Sequence, residues 1–399
     1  MNTKQHEIKK DISSRIKNFL IASYFFISFF EVYLNEALGS IIKYYMIAVV
    51  LILLFWARQL SFQRFHLILS IWLLYKFISV LWSPDHYIFE QHYLTHLSMF
   101  AMLIMITAQK DTAECYRYIR NALWIGSALC GVLSLFLNQP YEGSFNRQSM
   151  MLFNIQNDPN NMAVFLAFGL SISLYFLLYG EKYKLLHIAV IGINSYNILL
   201  TGSRGGFLSI IAIVIGYVFT LIDRNTHKTN HKRVFILVLV GVITGIVMLR
   251  LLPQDISDRL FDFNTYEDGS NRLYMWRHAL SLLASPFNLL FGAGWGAYRV
   301  NGGYSSLHNT FLSILCDVGI LGSLLLWGPI LKALRALIKK REILSFAIFI
   351  SSMAPSFFIE AINKRFFWNA ITVVLVAYIC LQKESNADMS VKIKSRYLK

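Results

Sequence analysis

Charge is what this chain has least of, and carboxylates are the scarcest charged groups. Asp, Glu, Lys and Arg make up 15% of 399 residues, with 22 acids against 37 Lys and Arg. Soluble domains carry about 25% charged residues, so an ordinary water-soluble globule is excluded. Cysteine is also sparse. Cys130, Cys316 and Cys380 lie within apolar segments and Cys115 in an expected connecting loop, without CxxC or Cys/His zinc spacing. Neither a disulfide framework nor a zinc module is expected. No A-x-A-like site follows the first apolar run, so a cleavable signal peptide is not expected.

Apolar sequence fills the space that charge leaves. Hydrophobic residues make up 56% and aromatics 15%, and runs of about 17 or more recur along the whole chain. This predicts an all-α integral membrane protein, one polytopic domain over residues 1–399. Twelve spans are expected, at roughly 19–34, 41–57, 65–82, 92–108, 121–138, 161–179, 185–201, 206–222, 233–252, 309–331, 344–361 and 365–382. The formal charge of +15 is assigned to basic cytoplasmic loops rather than to nucleic-acid binding. With both termini cytoplasmic, 26 of the 37 basic residues fall inside, eight outside and three within spans. The eight are Arg147, Arg204, Arg259, Arg272, Arg277, Arg299, Lys364 and Arg365. Arginine dominates them, as expected where an anion must be held with fixed geometry.

The polar intervals on that outer side carry the candidate chemistry. The largest is a loop over about residues 253–308. Within it Asp268-Gly269 forms a turn, Ser270 or Asn271 can cap a helix, and Leu273, Trp276, Leu280 and Leu283 recur at helical spacing until Pro286. This predicts a short amphipathic helix over 271–285, lying on the membrane surface. The alternating glycines of Gly292-Ala293-Gly294-Trp295-Gly296 permit close backbone approach. Asp158-Pro159-Asn160 precedes the sixth span, where an Asn or Asp can cap the helix or line an outer cavity beside Arg147. Thr201-Gly202-Ser203-Arg204-Gly205-Gly206 joins two spans by a glycine-rich turn suited to an anion. His92 and His96 are read as interfacial histidines rather than a metal site, and Trp56, Trp72 and Trp82 as interfacial tryptophans. Asp317 and Glu360 lie near or within apolar sequence. Lys364 or Arg365 is a candidate partner for Glu360, and either carboxylate a candidate to orient His308.

Three blocks occur in order: Thr201-Gly202-Ser203-Arg204-Gly205-Gly206; Asn271-Arg272 with Trp276 and Gly292-Ala293-Gly294; and His308-Asn309-Thr310-Phe311-Leu312 continuing to Gly319-Ile320-Leu321-Gly322. Together they resemble the O-antigen ligase and O-antigen polymerase superfamily of bacterial membrane glycosyltransferases, over about residues 140–360. The resemblance implies an inner-membrane enzyme that takes a glycan from undecaprenyl diphosphate at the periplasmic face, with inversion, no nucleotide sugar, no metal and no cofactor. It carries the family's essential arginines onto Arg204 and Arg272 and its essential histidine onto His308. The expected partners are the lipid-linked oligosaccharide, a glycan or lipid A-core acceptor, the bilayer and other polysaccharide assembly proteins.

In chemical terms, arginines clamp the leaving diphosphate through charge-assisted bonds. His308 takes the acceptor proton, or Glu267 or Asp268 does so while His308 positions the acceptor or the diphosphate. Arg147, Asn160, Ser203 and Arg277 complete the expected substrate-binding set. The short periplasmic loop and Asp158-Pro159-Asn160 point to a polymerase. The alternatives are a ligase acting on lipid A-core and, in a different class, a lipid-linked oligosaccharide transporter.

Overall fold

A computed structural model describes the chain apart from residues 1, 40, 56–59, 143, 181, 222–230, 262–271, 303–305 and 398–399. Although over 344–361 the α-helix ends at Met353 and only a short 3-10 turn follows, each segment expected to span contains a helix. In order these are α1 (Asn2–Ile27) with α2 (Glu31–Leu38), α3 (Ile41–Leu54), α4 (Arg64–Ile78), α5 (Tyr87–Thr107) and α6 (Thr112–Leu137). Then follow α7 (Pro159–Tyr179), α8 (Lys184–Leu200), α9 (Arg204–Leu221) and α10 (His231–Leu251). Four short helices, α11 (Gln254–Phe261), α12 (Arg272–Leu282), α13 (Pro286–Phe291) and α14 (Ala297–Gly302), lead to α15 (Thr310–Lys340), α16 (Ile343–Met353) and α17 (Arg365–Tyr397). Among the described residues, six helical segments are long and apolar enough to cross a membrane, and four further apolar helices are shorter.

The chain is not purely helical. The interval expected to be a loop before α7 forms a three-stranded antiparallel sheet, β1 (Asn138–Tyr141), β2 (Ser144–Leu152) and β3 (Ile155–Gln156), in that order. Period-two pairing over so few residues is invisible beside the apolar signal of the flanking helices. The sheet is anchored by Tyr33, whose hydroxyl donates to Met150 O at 2.9 Å, and by Ser149, which donates to Asn157 O at 2.7 Å.

The bundle centres on α7 and α17, which are buried on nearly all sides. Small residues let neighbouring helices close on α7, and amide side chains bind across the gaps. Asn194 on α8 donates to Ser127 Oγ on α6 and Leu166 O on α7, both at 3.0 Å, and Asn197 donates to Gly131 O at 3.1 Å. On α17, Asn369 donates to Ser28 Oγ at 3.0 Å. Trp72 is fully buried against Trp368 at 5.6 Å between ring centroids. It is therefore a core residue and not an interfacial one. Cys115 is likewise buried, inside α6 rather than in a loop. Trp56 lies outside the described residues.

α15 is bent where Gly319 takes φ 64°. The glycine-rich segment inserts at this bend. Ala293 N donates to Cys316 O at 2.7 Å, Gly296 N to Asp317 Oδ1 at 3.0 Å, and Trp82 Nε1 to Gly292 O at 3.0 Å. A Cβ on Gly292 or Gly319 would collide with the other segment's backbone. Close backbone approach, expected from the alternating glycines, is thus realised. Beneath it, Lys76 Nζ lies 3.4 Å from Asp317 Oδ2, 3.4 Å from His96 Nε2 and 4.4 Å from the Trp295 ring centroid. His96 is consequently a buried packing residue, not an interfacial one. Among the described residues no group of three or more His, Cys, Asp or Glu side chains could hold a metal.

Candidate functional site

The site is built where α7, α9, α11, α12 and α15 begin or end. α7 starts because Asp158 accepts hydrogen bonds from Asn160 N at 2.8 Å and Asn161 N at 3.1 Å, with Pro159 at the first helical position. That cap turns Asn160 towards the β2 strand and the 201–204 turn. Its Oδ1 accepts from Arg147 Nη2 at 3.0 Å and from Ser203 Oγ at 2.8 Å. The capping reading holds for Asp158, while Asn160 ties Arg147 to Ser203.

The 201–204 turn is held by side chains from three directions. Ser203 Oγ accepts from Gly206 N at 3.0 Å and opens α9. Arg147 Nε donates to Thr201 O at 3.1 Å. Arg259 Nε donates to Gly202 O at 3.0 Å and its Nη1 to Asn146 Oδ1 at 3.2 Å. Arg204 Nε and Nη2 both donate to Arg259 O at 3.3 Å. Gly202 is required at its position. It has φ 57°, and a Cβ there would stand 2.7 Å from Asn146 O and 2.9 Å from Arg259 Cδ. Arg259 and Asn146 were not among the expected site residues. The only signal for Arg259 was its place in the outside arginine set; Asn146 carried none.

His308 is exposed, with φ 47°. Asn309 caps α15 by accepting from Leu312 N at 3.0 Å. Glu360 holds the approach to the histidine. Its Oε1 accepts from Tyr298 Oη at 2.7 Å and Ser313 Oγ at 3.1 Å. Its Oε2 accepts from Ser306 Oγ at 2.8 Å and Leu307 N at 3.3 Å. Ser306 Oγ in turn accepts from His308 N at 3.1 Å. Glu360 therefore orients the 306–308 segment, one of the two roles open to it. It takes no partner from Arg365, which pairs instead with Glu31. Asp317 pairs with Lys76 and does not reach the histidine.

Arg272 opens α12 and lies over the Phe358 ring at 6.0 Å. The buried face of α12 is Met275 and Ala279, continued by Leu283 just past its end, packed with Tyr298, Leu307 and Cys316. Leu273 and Leu280, expected on the apolar stripe, are exposed at 67% and 57%. The other two members of the expected stripe, Trp276 and Leu283, do pack here, and Met275 and Ala279, at i and i+4, take the remaining packed positions. The helix also ends at Leu282, and Pro286 starts α13 rather than ending α12. Arg277 is on the exposed side of α12. Glu267 and Asp268 lie outside the described residues.

Electrostatics tie the two halves together. Although His308 is solvent-accessible, partial desolvation by the surrounding protein lowers its pKa from 6.5, and the Arg272 charge adds to this, while Glu360 and Asp158 oppose it. Burial also lowers the Arg147 pKa; Asp158 opposes this, and Arg259 and Arg272 add to it. Arg147, Arg259, Arg272 and His308 thus occupy one field, with Asp158 and Glu360 as its acids. Such a site favours a multiply charged anion and keeps a neutral imidazole beside it.

Fold and site together define a polytopic helical membrane protein with a cationic site at one end of its bundle. Residues 187–327 match a family model described as O-Antigen ligase, and this supports the O-antigen ligase/polymerase superfamily. The matched interval runs from α8 into α15 and includes Arg204, Arg259, Arg272 and His308, but not Arg147, Asn160 or Glu360. No curated protein matches the chain.

Proposed function

We propose that this protein is a glycosyltransferase that transfers a glycan from a polyprenyl diphosphate, and that it acts as a surface-polysaccharide polymerase at the periplasmic face of the bacterial inner membrane, with both termini cytoplasmic. The observation that carries the reading is the convergence of Arg147, Arg204, Arg259 and Arg272 on the same end of the bundle as His308. In the proposed step an acceptor hydroxyl attacks the anomeric carbon from the face opposite the diphosphate. The bond from that carbon to the diphosphate oxygen breaks, and the configuration inverts. The hydroxyl proton passes to His308. Arg204 and Arg272 hold the charge that develops on the leaving diphosphate, the role a divalent cation plays elsewhere. Arg147, Asn160 and Ser203 shape the wall that receives it.

A deletion strain complemented with wild type, Arg272→Ala or His308→Ala tests this on a glycolipid gel, with membrane levels checked by blot. Lipid A-core carrying a single repeat and no ladder supports the polymerase. Bare lipid A-core with long glycan on undecaprenyl diphosphate assigns the ligase reaction instead. A normal ladder from well-expressed variants removes these residues from the chemistry.

A further inference from the structure

A groove of about 820 Å³ runs between α4, α15 and α17, away from the arginine site. Its volume is in the range of pockets that enclose small ligands, roughly 300–1,000 Å³. All three helices belong to segments long and apolar enough to cross a membrane. The floor and walls are apolar, with Ile68, Leu321, Leu324 and Leu325 among them, and Asp and Glu are absent from the lining. Tyr75 marks one end. A Cβ on Gly322 would stand 2.9 Å from its ring, which sets Tyr75 beside the 321–322 turn of α15.

Arg64 and Lys332 also line the groove. Arg64 precedes Tyr75 by eleven residues, and Lys332 follows Leu321 by eleven. Equal steps in opposite senses along two packed helices bring both cations to the same end, about 16 Å from Tyr75 at 1.5 Å per residue. One leaflet of a hydrocarbon core is about 15 Å deep. Lys332 also lies 22 residues from Thr310 along α15, about 33 Å of helix path through the bend at Gly319, so the pair lies towards the end of the bundle away from His308. Both side chains are exposed.

We infer that this groove binds one anionic phospholipid of the bilayer, its phosphate between Arg64 and Lys332 and one acyl chain along the helices towards Tyr75. The charge at one end selects the headgroup, the apolar length accepts one leaflet's chain, and the lipid fills a gap that the helices leave open. The site is independent of the transfer chemistry proposed above.

The test uses the full chain, stripped of lipid in detergent, with phosphatidylglycerol, phosphatidylcholine or undecaprenyl phosphate added back and bound lipid counted by native mass spectrometry. Each basic side chain near the surface contributes about fivefold to binding an anionic lipid. Wild type is expected to prefer phosphatidylglycerol over phosphatidylcholine by roughly 25-fold, and Arg64→Gln with Lys332→Gln to abolish the preference. Gly328→Leu is expected to weaken both lipids alike. A Cβ at Gly328 meets nothing within 4 Å, so this variant obstructs the groove without disturbing the fold, checked by its thermal midpoint. Equal binding of the two phospholipids by wild type, or a preference that survives the double substitution, overturns the inference. Undecaprenyl phosphate displacing phosphatidylglycerol also overturns it and makes the groove a polyprenyl site.

Discussion

Glu360→Gln and Glu360→Ala separate the carboxylate's charge from its hydrogen bonds. The four donors are three hydroxyls and one fixed backbone N–H. Tyr298 and Ser313 point to Oε1, while Ser306 and Leu307 N point to Oε2. A glutamine has one acceptor oxygen. Turned towards Leu307 N and Ser306, it leaves its amide donors facing two hydroxyls that can rotate and accept. Most of the bonding survives, and the loss is the charge assistance, about 1–2 kcal/mol. Alanine removes all four bonds and strands the N–H of Leu307, which is 1% exposed. The expected loss is about 3–5 kcal/mol. Because Ser306 also holds His308 N, a looser 306–308 segment misplaces the imidazole. If half of the glutamine loss reaches the transition state, transfer falls roughly two- to fivefold at 1.36 kcal/mol per tenfold. Alanine is expected to abolish the glycan ladder. The assay is ladder formation in the complemented deletion strain, with membrane level and thermal midpoint measured in parallel. A full ladder from Glu360→Ala at wild-type level refutes the reasoning, because the segment would then hold without its anchor.

The pH dependence follows from the groups around His308. Partial desolvation and the Arg272 charge hold its pKa below 6.5, so the neutral base persists below that pH and is lost only as pH falls through the lower folded value. Glu360→Gln and Asp158→Asn each remove a charge that raises this pKa. The acid limb of the pH–rate profile is expected at lower pH in both, and a shift to higher pH contradicts the assignment. Gly202→Ala forces a side chain onto φ 57° and into Asn146 O and Arg259 Cδ, and is expected to cost at least about 2 kcal/mol and most transfer activity. Gly192→Ala, whose Cβ meets nothing within 4 Å, is expected to be neutral or stabilising by about 0.5–1 kcal/mol; equal thermal midpoints for the two would refute the contrast. Lys76→Met leaves Asp317 buried without its cation, a loss of about 3–5 kcal/mol. Adding Asp317→Asn, which keeps an acceptor for Gly296 N, is expected to recover most of it in a melting assay.

Much of this protein was legible because its signals are local. A long apolar run is helical wherever it packs, since backbone groups withdrawn from water bond within the segment, and a helix lies in each expected segment, six helical segments among the described residues being long and apolar enough to cross a membrane. The 201–206 glycine turn, the Asp158 cap and the alternating glycines at 292–296 were readable for the same reason, as each depends on a few consecutive residues. Which side chains meet was decided only by the tertiary structure. Glu360 holds the His308 segment and Arg365 takes Glu31 because of how α15, α17 and α2 pack, not because of their separation in sequence. Arg259 reaches back across 57 residues to Gly202, and Trp72 is interior because α17 places Trp368 against it. Periodicity states that a helix has a packed face; the neighbours that fill it, as Met275 and Ala279 show on α12, choose which face that is.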